Sequence, residues 1–246
     1  MSSHAITTPR PRLLVLRALG LGDLLTAVPA LRALARAFPS HYRVLAMPLQ
    51  LAPLVAKIGA IDEVLDAQPL ATLDPVVNNA EVAVNLHGCG PQSHEVLLQS
   101  NPHRIIAFEN PGIPQLRNMP QWNPAEHETQ RWCRLLRESG VDADADDLDL
   151  RVNPDSRYRG AIVLHPGAAN ESRRWPAERW IELGSILKSQ GHRIVLTGSE
   201  NEFRRARMIA KAVHLPVDWV IAGKTRIDEL ADIVAAARAV VCGDTG

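Results

Sequence analysis

The chain of 246 residues is long enough for one large domain or two of ordinary size. Its 27 lysine and arginine residues balance its 27 aspartate and glutamate residues, and only 4% of the chain is aromatic. The charge balance argues against bulk nucleic-acid binding, and the low aromatic content argues against base-stacking surfaces. We therefore predict no nucleic-acid partner.

In the first half of the chain, short apolar runs alternate with longer amphipathic segments. The pattern predicts strands at 12–17, 43–47, 63–66, 81–86 and 104–108. It predicts helices at 24–37, 50–58 and 126–139, and a proline-rich loop at 109–125. Such alternation is typical of βαβ units that form a parallel sheet.

A polar, acidic stretch at 141–160 predicts a domain boundary near residue 155. Beyond it a second alternating series begins. We predict strands at 161–165, 193–197 and 219–223, a last strand from residue 239, and helices at about 176–190, 201–213 and 227–237. Pro176 suits the first turn of a helix, and Thr225 suits the start of a capping box.

These elements predict an α/β protein with domains at 1–155 and 156–246. The second domain is the shorter one, and a parallel sheet would normally continue after its last strand and loop. We therefore expect the second domain to be incomplete, and the sequence to be a fragment or a truncated member of a longer family.

Cys89, Cys133 and Cys242 are scattered along the chain, and none belongs to a C-x-x-C pair. This spacing argues against a disulfide framework and against zinc, so we expect free thiols in a reducing compartment. The N-terminal residues form no apolar segment of the signal-peptide type, and no run of about 18 apolar residues occurs. We expect a cytoplasmic protein that can still contact the inner membrane surface peripherally.

The stretch "GLGDLL" (20–25) begins like a dinucleotide-binding loop, because Gly20 and Gly22 lie between a strand and a helix. Leu25 occupies the place of the third glycine, and the charge of Asp23 would repel a pyrophosphate, so a NAD site is disfavoured. Two interpretations of Asp23 stay open. It caps the helix, which contributes about 1 kcal/mol, or it is a carboxylate at the ligand-binding edge of the sheet.

Several motifs occur together in a fixed order. They are "GLGDLL" followed by "PAL" at 29–31, "NLHGCGPQSH" at 85–94, "LHPGA" at 164–168 with "SRRWP" at 172–176, "GKT" at 223–225 and "ELADIVAAARAVVCGDTG" at 229–246. The set resembles glycosyltransferase family 9, the ADP-heptose:lipopolysaccharide heptosyltransferase family. The resemblance implies a GT-B architecture, in which two Rossmann-like parallel-sheet domains face each other across a cleft. The acceptor then binds the first domain and the nucleotide sugar the second.

By this resemblance, Asp23 is the catalytic base of an inverting glycosyltransferase, and Gly20 and Gly22 lie on the acceptor side. The base would deprotonate an acceptor hydroxyl that attacks the anomeric carbon through an oxocarbenium-like transition state. The donor would be a nucleotide diphosphate sugar, ADP-heptose within the family, and the acceptor a cell-envelope glycan or glycolipid. We expect no metal and no other cofactor.

A departing diphosphate requires cations or oriented N–H donors. Arg173 and Arg174 precede a helix and would form an anion site at its N-terminus, although a solvated basic pair is the alternative. Lys224 and Thr225 would contact a phosphate, or would form only a turn and a helix cap.

The last loop contributes three further donor-site candidates. By the resemblance, Asp244, Thr245 and Gly246 contact the nucleotide sugar; a structural turn is the alternative. Two other classes of function stay open, a non-catalytic nucleotide-sugar-binding fragment and a GT-B-like nucleotide-sugar epimerase.

Two remaining features favour structural interpretations. The acidic run "DADADD" (142–147) contains D-x-D but follows a helix, so we expect a solvated loop rather than a metal site. His87, His94, His127 and His165 show no H-x-x-x-H pairing. We favour a structural role for His165 and leave a binding role open.

Overall fold

A computed structural model describes residues 10–168 and 170–243 of the chain. The chain divides into two compact units, Met1–Arg151 and Val152–Gly246. The functional roles expected for the two predicted domains stay predictions.

The first unit contains a five-stranded parallel sheet, and α-helices follow β1, β2, β4 and β5. In order β3-β2-β1-β4-β5, every neighbouring pair of strands is parallel. The elements are β1 (Arg12–Leu16), α1 (Leu21–Thr26), α2 (Val28–Ala37), β2 (Tyr42–Met47), α3 (Ala52–Ile58), β3 (Glu63–Asp66), β4 (Val82–Asn85), α4 (Pro91–Gln99), β5 (Arg104–Ile106) and α5 (Glu128–Glu138).

The central strands β1 and β4 are apolar runs because helices cover both faces of the sheet. The strand order reverses between β1 and β4. In open parallel sheets, ligands bind outside the carboxyl ends of the strands at this reversal. The loops that follow β1 and β4 are therefore the candidate ligand-binding loops of this sheet.

The glycine-rich segment differs from the predicted single helix at 24–37. The helix begins earlier, after Gly20, and is divided at Ala27 into α1 and α2. Pro29 lies in the first turn of α2, and it has no N–H group with which to continue the hydrogen bonds of α1. Helix α4 was not predicted, because it buries Ser93 and His94 and so has no simple apolar stripe.

The second unit contains a smaller parallel sheet with the strand order β7-β6-β8 among the described residues. Its elements are β6 (Ile162–His165), α6 (Ala177–Ser189), β7 (Ile194–Leu196), α7 (Phe203–Val213), α8 (Ile227–Ala236) and β8 (Ala239–Cys242). Trp180 and Ile209 pack on one face of this sheet, and Tyr158 and Ile233 lie in the core of the other face. The prediction of an α/β fold with two parallel sheets, the second small, is confirmed.

Three local predictions for the second unit are wrong. The segment at 219–223 is not a strand: Trp219 ends a short 3-10 helix, Val217–Trp219, and Val220 makes one isolated bridge to Leu196. Pro176 is the N-cap of α6 rather than a residue of its first turn.

The third concerns the start of α8. Arg226, not Thr225, is the N-cap, because the Glu229 carboxylate reaches back to accept a 2.8 Å hydrogen bond from the Arg226 amide. Thr225 therefore lies one residue before the helix cap.

Within the described residues, none of the helices combines the length and apolar character that crossing a bilayer requires. Cys89, Cys133 and Cys242 carry free thiols.

Candidate functional site

Asp23 lies in the first turn of α1, directly beyond the carboxyl end of β1. Its Oδ2 accepts a hydrogen bond of 3.1 Å from the Gly20 amide. The N-cap is Gly20, so the prediction that Asp23 occupies the cap position is wrong. The carboxylate instead reaches back three residues to an amide that the helix leaves unpaired. Its side chain is 39% exposed, so the same carboxylate stabilises the helix start and stays accessible.

Gly20 and Gly22 do not provide an unusual backbone conformation. Gly20 is extended, with φ −78° and ψ −176°, which any residue adopts. A Cβ atom on Gly20 would make an ordinary 3.5 Å contact with Oδ2 of Asp23, and one on Gly22 would meet nothing within 4 Å. The two glycines therefore leave open space beside Asp23.

Arg17 is the main residue of this loop that the sequence analysis missed. Its side chain is fully buried directly after β1. The guanidinium donates hydrogen bonds to the carbonyl of Asp23 at 2.6 Å, to the carbonyl of Leu86, to Oγ1 of Thr26 at 3.1 Å and to Oε1 of Glu128 at 2.9 Å. Burial lowers the pKa of Arg17, and the charges of Glu128 and Asp23 oppose that effect.

The signal for Arg17 in the sequence is a cation that directly follows an apolar strand. The predicted strand at 12–17 includes Arg17. Its partner Glu128 lies 111 residues away, so no local pattern links the two.

His87 follows β4 on the other side of the reversal. Its amide donates a 2.9 Å hydrogen bond to Oδ1 of Asn85, which orders the turn. Among the described residues, nothing hydrogen-bonds to its buried Nδ1. Burial lowers the pKa of His87, the Arg17 charge lowers it further, and the Asp23 charge opposes both. The first unit thus has an accessible carboxylate and an imidazole on the two loops where its strand order reverses.

In the second unit, the strand order reverses between β6 and β8. The loop after β6 contains the exposed Arg173 and Arg174. Nε of Arg174 donates a 2.8 Å hydrogen bond to the carbonyl of Ala168. The carbonyl oxygen of Arg173 lies 3.0 Å from where a Cβ atom on Gly243 would be. The arginine loop therefore packs against Gly243, the residue directly after β8.

Asp244, Thr245 and Gly246 lie outside the described residues. Their proposed contact with the nucleotide sugar stays a prediction.

Lys224 and Thr225 belong to a different loop of the second unit. The Gly223 amide bonds to the carbonyl of Gly198 at 2.9 Å, which fastens this loop to the one after β7. Lys224 and Thr225 line a cavity of about 560 Å³, with Tyr158 and Ile233 among its other walls.

Arg173 and Arg174 do not line the cavity beside Lys224. In the described part of the second unit, the predicted donor residues Arg173 and Arg174 therefore lie on a different loop from Lys224 and Thr225.

Glu202 is a further charged residue at this edge that the sequence analysis did not single out. Its Oε2 accepts hydrogen bonds from the Ser199 amide at 2.7 Å and the Ser199 hydroxyl at 2.9 Å, and lies 4.0 Å from Nε2 of His165. Burial would raise the pKa of Glu202, but the Ser199 hydrogen bonds and the charges of His165 and Arg174 lower it. The S-x-x-E capping pattern at 199–202 was the available signal.

His165 at the end of β6 is held by neighbours within its own unit. Its Nδ1 lies 3.0 Å from Oγ1 of Thr197. Burial lowers the pKa of His165, and the charge of Glu202 partly offsets that effect. Among the described residues, no group of three or more histidine, cysteine, aspartate or glutamate side chains is arranged to hold a metal ion.

Comparison with known proteins identifies the family. The model of glycosyltransferase family 9 (heptosyltransferase) matches residues 108–246, which is more than half of the chain. The chain belongs to glycosyltransferase family 9. The family predicted from the motifs is therefore confirmed.

Two curated relatives agree with this membership. Lipopolysaccharide heptosyltransferase 2 of Escherichia coli K12 is 32% identical over 37% of this chain and 27% of its own length. The Salmonella typhimurium protein of that name is 30% identical over 54% of this chain and 35% of its own length. The chain thus spans well under half the length of the curated relatives that it matches.

A solved structure of an E. coli heptosyltransferase with ADP-2-deoxy-2-fluoro heptose shares the fold. Its TM-score is 0.74 at 19% identity, and the match covers 95% of this chain and 83% of that one. At this level of identity the likeness concerns the fold alone.

Proposed function

We propose that this chain acts as an inverting glycosyltransferase, which moves a heptose-like sugar from a nucleotide diphosphate sugar to an acceptor hydroxyl. The observation that carries the proposal is the position of Asp23. In a chain of this family, an accessible carboxylate lies where the strand order of the first sheet reverses, beside two glycines that leave room for a ligand.

In the proposed reaction, Asp23 accepts the proton of the acceptor hydroxyl as its oxygen attacks the anomeric carbon of the sugar. The new C–O bond forms on the face opposite the diphosphate, and the bond from the anomeric carbon to the diphosphate oxygen breaks. Attack from that face inverts the configuration, and the sugar passes through an oxocarbenium-like transition state. The nucleoside diphosphate leaves with the electron pair of the broken bond.

We propose ADP-heptose as the donor, because a structure with the same fold was solved with a fluorinated analogue of it. Arg173 and Arg174 are exposed cations that suit the diphosphate. Lys224 and Thr225 line a cavity nearer to α8, and Asp244, Thr245 and Gly246 complete the proposed donor set.

The relatives' names support a lipopolysaccharide precursor as the acceptor. We therefore propose a cytoplasmic reaction in peripheral contact with the inner membrane surface. Neither a metal nor another cofactor is part of the proposed mechanism.

The test of the base is Asp23→Asn in the full chain, with Asp66→Asn as a matched control. Asp66 also ends a strand of the first sheet and accepts a 3.1 Å hydrogen bond from the Leu49 amide. We expect Asp23→Asn to reduce ADP release and sugar transfer to a lipopolysaccharide precursor by about 100-fold or more. Asp66→Asn should stay within a few-fold of wild type. Near-normal transfer by Asp23→Asn would contradict the assignment.

Calorimetry with ADP-heptose separates the other classes of function. A wild-type chain that binds the donor but transfers nothing would be a non-catalytic nucleotide-sugar-binding protein. Conversion of a nucleotide sugar without any acceptor would instead indicate an epimerase.

A further inference from the structure

We propose that Arg17 positions Asp23, and that Glu128 holds the Arg17 guanidinium away from the Asp23 carboxylate. The proposal deepens the proposed function, because it rests on Asp23 as the base. It assigns roles to two residues that no motif singled out.

Arg17 joins the two loops at the reversal of the first sheet. Its Nε bonds to the carbonyl of Asp23 at 2.6 Å, and its Nη1 bonds to the carbonyl of Leu86 at the end of β4. Thr26 reinforces the arrangement, because its Oγ1 accepts from Nη2 of Arg17 and donates to the Asp23 carbonyl at 2.9 Å. The rigid fork of the guanidinium therefore fixes the first turn of α1 against the neighbouring strand end.

Glu128 and Asp23 compete for the same nitrogen atom. Nη2 of Arg17 lies 2.9 Å from Oε1 of Glu128 but 3.7 Å from Oδ1 of Asp23. Trp132 favours Glu128: its Nε1 donates to the same Oε1 at 3.3 Å, and its ring centroid lies 4.9 Å from the guanidinium carbon. The shorter ion pair is therefore formed with Glu128, and the pair with Asp23 is longer by 0.8 Å.

The charge balance around Asp23 explains why this competition affects its chemistry. The charged or titratable groups that face it are Arg17 after β1, Glu128 on α5 and His87 after β4, with Arg131 on α5 also acting on Arg17. A buried cation released from Glu128 would move onto Asp23 and favour its charged form. Asp23 would then be a weaker base.

The experiment replaces Glu128 by Gln, which keeps the size of the side chain but removes the negative charge that pairs with the Arg17 guanidinium. Glu138→Gln is the matched control, because Glu138 lies on the same helix and pairs with Arg134 at 3.2 Å near the surface. The main readout is the pH titration of the Gly20 amide chemical shift by NMR. That amide donates to Asp23 and reports its protonation without any need for activity.

We expect Glu128→Gln to move the midpoint of the Gly20 titration to lower pH, and Glu138→Gln to leave it in place. The kcat of Glu128→Gln should fall by about tenfold, and the KM for the acceptor should stay within twofold of the wild-type value. The acidic limb of its pH–rate profile should also shift to lower pH. Arg17→Lys, which keeps the charge but loses the fork, should also lower kcat.

An unmoved Gly20 midpoint in a folded Glu128→Gln chain would overturn the proposal. That result is distinguishable from failure of the proposed function, because near-normal transfer by Asp23→Asn would reject the base itself.

Discussion

The Gly20 amide donates a hydrogen bond of 3.1 Å to Oδ2 of Asp23, three residues further along the chain. The bond uses one of the N–H groups that the start of α1 leaves unpaired. Because the carboxylate is also 39% exposed, its contribution to stability can be measured separately from its proposed chemistry.

Asp23→Ala should lower the free energy of unfolding by about 1 kcal/mol, because the Gly20 amide loses its acceptor and the helix start loses a negative charge. Asp23→Asn keeps a side-chain oxygen, so its free energy of unfolding should fall by less than half as much. Urea unfolding of the two variants measures the difference. Equal losses would show that the hydrogen bond contributes little and that the charge alone matters.

The sequence predicted the βαβ alternation, because apolar strands and amphipathic helices have local periods. It predicted Asp23 from a short motif, but it placed the helix start at residue 24. The real start depends on the hydrogen bond between the Gly20 amide and Asp23, and Pro29 accounts for the division into α1 and α2.

Other parts of the site have no local signature. Arg17 and Glu128 meet across 111 residues, so their pairing follows only from the packing of α5 near β1. The position of the donor candidates relative to one another likewise depends on how the loops of the second sheet pack together.

Gly223 holds the loop that presents Lys224, and its replacement should be costly. Gly223 has φ +70°, and a Cβ atom there would lie 2.8 Å from Cα of Glu200. Gly160 provides a matched control, since its φ is +72° but a Cβ atom there would meet nothing within 4 Å. Gly160→Ala should lower the free energy of unfolding by roughly 1 kcal/mol from backbone strain alone. Gly223→Ala should lose at least about 1 kcal/mol more.

Urea unfolding and ADP calorimetry of both alanine variants test this expectation. Similar losses of unfolding free energy for the two variants would mean that the Glu200 backbone moves aside at no energetic cost. A weaker affinity for ADP in Gly223→Ala alone would connect the loop to donor binding.

His165 should make the stability of the second unit depend on pH. Burial lowers its pKa in the folded chain, whereas in the unfolded chain the imidazole titrates near its ordinary value of about 6.5. The unfolded chain therefore binds more protons just below that pH, and stability falls as the pH drops from about 7.5 to 5.5. His165→Gln should lose less stability over this range than wild type.

Glu202→Gln should have the opposite effect on this dependence. The Glu202 charge favours protonated His165. Removal of the Glu202 charge therefore lowers the pKa of His165 further and enlarges the loss of stability as the pH falls. Urea unfolding at the two pH values compares the three chains. A His165→Gln chain with the wild-type pH dependence would exclude His165 as its source.

Asp147 shows that the acidic run at 142–147 is not merely a solvated loop. Its carboxylate pairs with Arg36 at 2.7 Å and with Arg32, both on α2. Burial would raise the pKa of Asp147, but the hydrogen bonds and charges of the two arginines lower it. Asp147→Asn should lower the free energy of unfolding by about 1 kcal/mol at pH 7, while the exposed Asp142→Asn should stay within about 0.5 kcal/mol of wild type.

The pH dependence of this pair has the sign of a carboxylate whose folded pKa is lowered. Its stabilisation is complete above the ordinary aspartate value of about 4 and is lost as the pH falls toward the folded pKa. The difference between wild type and Asp147→Asn should therefore persist at pH 5 and shrink below about pH 4. High salt should also reduce it, because the Arg36 side chain is 56% exposed and its pairing is screened. A difference that is independent of both pH and salt would show that Asp147 acts through packing rather than charge.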